Sequence, residues 1–146
     1  LLLHAAINAK GTVLDAGTGV GKILPYLKSN KQVTTVLGID ENKDMLKESK
    51  KFEDNNIKTQ IGDVMSFEGN YDTIISLNVL YTLNNPIEFL RNTYMNLNKT
   101  GTLIISSPTK SLDMKKLTYL IDLEFNASVN EIWKTIIKLL KTVIFI

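Results

Sequence analysis

The sequence has no cysteine in 146 residues, which excludes a disulfide framework and a thiolate zinc site. It has one histidine, His4. A histidine-cluster metal site is therefore excluded, and no metal is expected. A Ser-His-Asp arrangement would have to use His4 in the first helical turn, so His4 is read as a surface or packing residue. The excess of positive charge is small, a formal +2, too little to imply a nucleic-acid partner. No uninterrupted membrane span is present. The most apolar stretch, near Ile132 to Leu140, is broken by Lys134, Lys138 and Lys141. A basic amphipathic stretch of this kind can lie on a membrane surface; here it is read as a core helix. The first residues lack the basic lead and cleavage site of a signal peptide, and a cytoplasmic location is expected. Leu1-Leu2-Leu3 and Val143-Ile144-Phe145-Ile146 stand bare at the two ends, so both ends are read as cut.

What remains is ordinary for a folded domain: 44% apolar and 22% charged residues. A chain of this length is expected to form one domain, residues 1–146, with a real core. Its centre is Val13-Leu14-Asp15-Ala16-Gly17-Thr18-Gly19-Val20-Gly21. An apolar run ends in an acid, three glycines follow at alternate positions, and a helical pattern then begins. That is a strand, a turn stripped of side chains, and a helix. Glycine lets a ligand approach the backbone closely, and N–H groups at a helix start can face it. Two other glycine loops are excluded. The dinucleotide fingerprint G-x-G-x-x-G would need a third glycine where Lys22 stands. The phosphate loop G-x-x-x-x-G-K-[ST] would need glycine at Ala16 and Ser or Thr at Ile23.

Strand and helix alternate along the chain. A helix tail from Leu1 to Ala9 is closed by Lys10-Gly11. Strands are expected at Thr12 to Asp15, Val33 to Ile39, Ile57 to Ile61, Tyr71 to Leu77 and Thr102 to Ser106. Between them, helices are expected from near Lys22, with Ile23, Leu24 and Leu27 on one face, and over about Asn42 to Glu53, with Met45, Ser49 and Phe52 inward. A further helix starts at Asn85-Pro86-Ile87-Glu88, where Asn caps, Pro takes the first position and Glu follows three on. Thr100-Gly101 is expected to end it. The class is α/β, a doubly wound, mostly parallel sheet with helices on both faces. Residues 1–107 form the expected core and 108–146 a helical segment, with helices near Leu112 to Leu123 and Val129 to Leu140.

In such sheets ligands sit outside the carboxyl ends of the strands. Four of those ends carry polar groups: Asp15, Asp40, Asp63 and Asn78. Together with the glycine turn they resemble the class I S-adenosylmethionine (SAM) dependent methyltransferases. The matching segments are Val13–Gly21, Leu37-Gly38-Ile39-Asp40, Ile61-Gly62-Asp63-Val64, Tyr71–Leu83 and Leu97–Ile105. The resemblance implies SAM as cofactor. It implies that Gly17, Gly19 and Gly21 admit the methionyl part and that Asp15 reaches its amino group. Asp40 would accept from the ribose diol, since a carboxylate only accepts, and Asp63 from the adenine amine, with Val64 against the ring. Asn78 would lie near the methyl group. Ala16, Thr18 and Glu41 complete the candidate set. No catalytic residue is assigned. The expected activity is methyl transfer to a small-molecule acceptor. The alternatives are a non-catalytic SAM-binding domain serving as regulator or partner subunit, and a nucleotide-dependent oxidoreductase, which Lys22 argues against. Asn78-Val79-Leu80-Tyr81 replaces the Asn/Asp-Pro-Pro-Tyr/Phe string of nucleic-acid amino-methyltransferases, so base methylation is not expected. The sixth and seventh strands of the family sheet are not found; Val143 to Ile146 is read as a possible start of the sixth.

Overall fold

The computed structural model describes residues 1–106. Five parallel strands form one sheet in the order β3-β2-β1-β4-β5: β1 Gly11–Ala16, β2 Val33–Asp40, β3 Ile57–Ile61, β4 Tyr71–Leu77 and β5 Leu97–Ser106. The chain winds outward from β1 to β3, returns to the other side of β1 for β4, and continues to β5. The order reverses between β1 and β4, so the cleft of a doubly wound sheet is expected there. Register is in step across the carboxyl ends: Ala16 pairs with Ile39, Asp40 with Ile61, Asp15 with Ile75, and Leu77 with Ser106.

Side-chain alternation along the strands builds two cores, one on each face. Val13, Val36, Ile57 and Ile75 pack with Ala5, Ala6 and Ala9 from the α1 region (α1, Leu2–Ile7) and with Ile23, Leu24 and Leu27 from the α2 region (α2, Leu24–Ser29). On the opposite face Leu14, Ile39, Ile74, Leu103 and Ile105 pack with Phe67, Leu80, Phe89 and Leu90. Helix α3 spans Lys43–Ser49, followed by a 3-10 turn at Lys50–Phe52, and α4 spans Pro86–Asn96. Asn85 caps α4 by accepting from the Glu88 N–H, as its sequence predicts. Among the described residues no helix is long and apolar enough to cross a membrane.

Four local expectations change. Helix α1 ends at Ile7, and Gly11 opens the strand instead of closing the helix. Helix α2 begins at Leu24, not near Lys22, because the chain from Gly17 to Ile23 is still turning. In α3, Met45 is 43% exposed and Leu46 is buried in its place; Ser49 is buried as expected, and Phe52, in the 3-10 turn after the helix, packs against the core beside it. Helix α4 stops at Asn96, and β5 starts at Leu97, which pairs with Tyr71. The next partners are Thr73 and Thr102, so residues 98–101 bulge out, with Asn98 donating to Asp72 Oδ1 at 2.8 Å. The two later helices, the Val143 to Ile146 strand and the boundary at 107 lie outside the described residues.

Candidate cofactor site

The turn after β1 is tied to the end of β2. Gly17 and Thr18 N–H both donate to the Ile39 carbonyl at 2.9 Å, and Gly19 N–H donates to Asp40 Oδ2 at 2.8 Å. Gly17, Gly19 and Gly21 all have positive φ, 84°, 56° and 76°, a region that penalises any side chain. Their surroundings differ. A Cβ on Gly17 would stand 2.3 Å from Val79 Cγ2, and one on Gly21 within 3.0 Å of Leu24, Ser49 and Phe52. A Cβ on Gly19 would meet only Met45 Sδ, at 3.8 Å. Gly21 is thus demanded by packing, Gly17 by the close approach of Val79, and Gly19 faces space.

That space is an open cleft of about 680 Å³ along the carboxyl ends of β1 to β4, within the range of small-molecule sites. Of the residues expected from sequence, Gly17, Gly19, Asp40, Glu41, Asp63, Val64 and Asn78 line it. Asp15, Ala16, Thr18 and Gly21 do not; all four are buried under the turn. The cleft also includes Asn42, Met45, Gly62, Met65, Leu77, Val79 and Thr82 to Asn85. From sequence Met45 reads as a core residue, because an apolar residue at helical spacing reads as packing. Of the run after Asn78, the sequence marks Asn85 as a helix cap and gives Thr82 and Asn84 no role.

The carboxylates are held in definite positions. Asp40 Oδ1 accepts from Asn42 N–H at 2.9 Å, while Asn42 caps α3 through Asp44 and Met45 N–H. Each Asp40 oxygen therefore has one backbone donor and a remaining lone pair, which suits a diol. Asp63 Oδ1 accepts from Met65 N–H at 2.7 Å, with its side chain exposed. Asn78 has φ 59°, donates its N–H to the Ser106 carbonyl at 2.9 Å, and its Oδ1 accepts from Ser106 Oγ at 3.4 Å. Asn tolerates this conformation better than most residues, and the bond to β5 fixes it.

Asp15 lies beneath the turn, 2% exposed, with Oδ2 unpartnered. Burial pushes its carboxyl up to about 6 from 3.8 and the Asp40 charge pushes the same way; the Thr18 hydroxyl pulls it down. That hydroxyl, also buried, stands outside hydrogen-bond geometry, so its pull is a weak one. Among the described residues no group of three or more His, Cys, Asp and Glu can hold a metal ion.

No sequence among curated proteins matches the chain. Solved structures do match its fold. A Mesorhizobium loti S-adenosylmethionine dependent methyltransferase aligns at a TM-score of 0.62 with 19% identity, over 70% of this chain and 50% of that one. The chain solved in complex with the Trm112 methyltransferase activator of Haloferax volcanii aligns at 0.63 with 24% identity, over 70% and 49%. A TehB-like SAM-dependent methyltransferase of Corynebacterium glutamicum aligns at 0.58 with 27% identity, over 71% and 58%. The matched part of this chain spans about half the length of these structures. A family model described as a methyltransferase domain matches residues 1–136, from α1 through all five strands and the cleft they form. With fold, glycine turn and family match in agreement over most of its length, the chain belongs to the methyltransferase-domain family.

Proposed function

We propose that the chain binds SAM in this cleft and transfers its methyl group to a small-molecule nucleophile. One observation carries the reading: the only glycine of the turn with free space beside it, Gly19, opens onto the same cleft as Asp40, Asp63 and Asn78. In this assignment Gly19 leaves room for the methionyl part, with Gly17 beside it in the cleft wall. Asp40 and Glu41 accept from the ribose hydroxyls, and Asp63 with Val64 holds the adenine. Leu77 and Asn78 border the reacting methyl group. When bound, the cofactor supplies a methyl carbon activated by a sulfonium leaving group. The protein's work is to position the two reactants and exclude water. Asp40 has a further role, since its bond to Gly19 N–H holds the turn in shape.

The test is thermal unfolding with SAM, its demethylated product S-adenosylhomocysteine (SAH), and NAD. Ligand at about 100 times its dissociation constant adds roughly 2.7 kcal/mol, several degrees in a domain of this size. SAM and SAH are expected to raise the melting temperature and NAD to leave it unchanged. Asp63→Asn keeps an acceptor for the Met65 N–H and removes the charge, so it is expected to weaken the SAM shift while leaving the free protein's melting temperature nearly unchanged. A shift with NAD alone, or with no ligand, defeats the reading. SAM binding without turnover on any acceptor would instead favour a cofactor-binding domain that works through a partner protein.

A further inference from the structure

The sequence has no cysteine, so its sulfur chemistry rests on four methionines. Met45 and Met65 line the cleft. Met95 stands on α4, 75% exposed, and is not among the described residues that line it. Met114 lies outside the described residues. Met45 is the one set against the glycine turn: its Sδ is what a Cβ on Gly19 would meet, at 3.8 Å. Leu46 beside it takes the core position, and Met45 stays 43% exposed, so core packing does not account for its apolar side chain. A run of hydrogen bonds holds it over the turn. Gly19 N–H donates to Asp40 Oδ2, Asn42 N–H donates to Asp40 Oδ1, and Met45 N–H donates to Asn42 Oδ1 at 3.2 Å. The turn and the start of α3 are thereby tied together, with the thioether beside the space that Gly19 leaves open.

We propose that Met45 is an oxidation-sensitive switch on cofactor binding, a proposal that rests on the SAM reading above. The oxidant is a peroxide. Hydrogen peroxide passes one oxygen atom to the thioether: the sulfur gives up two electrons, the O–O bond breaks, an S–O bond forms and water leaves. A flexible apolar side chain becomes a polar sulfoxide. Its oxygen accepts hydrogen bonds from water when the cleft is open. A ligand that covers it strips that water away, and burying a polar atom without a partner is costly. The apolar contact that the thioether offers the ligand is lost at the same time. Both effects weaken binding beside Gly19. The change is reversible, because a methionine sulfoxide reductase restores the thioether; a dithiol supplies the two electrons, becomes a disulfide, and the oxygen leaves as water. Occupancy acts in the opposite direction, since a ligand beside Gly19 covers the sulfur and slows its oxidation.

The experiment treats the full chain with hydrogen peroxide, with and without SAM, and follows each methionine by peptide mass spectrometry. SAM is expected to slow oxidation of Met45 severalfold and to leave Met95, the exposed reference on α4, unchanged. After the peroxide is removed, SAM affinity is measured by titration calorimetry. Oxidised protein is expected to bind SAM severalfold more weakly, and sulfoxide reductase with a dithiol to restore the affinity. The same ratio, affinity before against after oxidation, is then read in variants. Met45→Leu is expected to lose the weakening, whatever its own starting affinity; Met65→Leu and Met95→Leu are expected to keep it. Equal SAM affinity once Met45 is oxidised overturns the proposal, as does a weakening that survives in Met45→Leu. Either result leaves the cofactor reading standing. Absence of SAM binding to the untreated protein overturns both.

Discussion

Asp15 is the residue at which stability and the proposed function pull apart. Its carboxyl is buried with one oxygen unpartnered, and burial raises it from 3.8 to about 6. One pKa unit corresponds to about 1.4 kcal/mol, so ionising this group in the folded chain costs on the order of 3 kcal/mol. The sign follows from proton counting. Between the unfolded value near 3.8 and the folded value near 6, the folded state binds more protons, so this group's contribution to stability falls as pH rises. Below 3.8 both states are protonated and the cost is absent; above 6 it is felt in full. Asp15→Asn mimics the neutral acid and is expected to stabilise the free protein at pH 7–8 by up to about 3 kcal/mol. The gain should shrink through pH 6 to 5 and vanish near pH 4, as read by urea unfolding across that range. If Asp15 faces the cationic end of SAM, as the family resemblance implies, the same variant weakens SAM binding. A gain that is constant with pH would show that the burial cost is not what governs this side chain.

At the scale of elements, the sequence was most legible where chemistry is local. The Asn85-Pro86 start of α4, the three-glycine turn and the carboxyl ends of β2 to β4 stand where their residues place them. Misreadings fell where packing decides. Met45 and Leu46 are adjacent and both apolar, and only the sheet beneath chooses Leu46. Thr100-Gly101 reads as a helix stop, but pairing of Leu97 with Tyr71 ends α4 four residues sooner. In the sequence the three glycines of the turn are equivalent, because a Cβ's surroundings are invisible there. Their difference is testable. Gly21→Ala combines the roughly 1–2 kcal/mol penalty of a positive φ with overpacking against Leu24, Ser49 and Phe52, about 1–3 kcal/mol more. Gly19→Ala incurs the first penalty alone, since its Cβ enters open space. Urea unfolding should therefore rank Gly21→Ala as the more damaging change to the fold. Thermal shift should rank Gly19→Ala as the one that removes SAM binding from a protein that is still folded. The reverse ranking would place the ligand elsewhere.

Across the whole molecule, the cleft exists because register aligns loops that are far apart in sequence. Ala16, Asp40, Ile61 and Leu77 end their strands at one level of the sheet, and the segments that follow them meet at the reversal between β1 and β4. Each segment is short and none has a core of its own, so occupancy of the cleft should be felt by all of them at once. Hydrogen exchange can resolve this, because loops exchange by local opening that a ligand suppresses. With SAM bound, amides in residues 17–21, 40–45, 62–65 and 77–85 are expected to slow together. The amino ends of β1 and β2, at the opposite end of the strands from the cleft, are expected to change little. Protection confined to the glycine turn would mean that the strand ends share a cleft without sharing a ligand. Joint protection of all four segments, lost in Gly19→Ala, would tie the cofactor to the whole row of strand ends, the only arrangement in which Asp40, Asp63 and Asn78 act on one molecule.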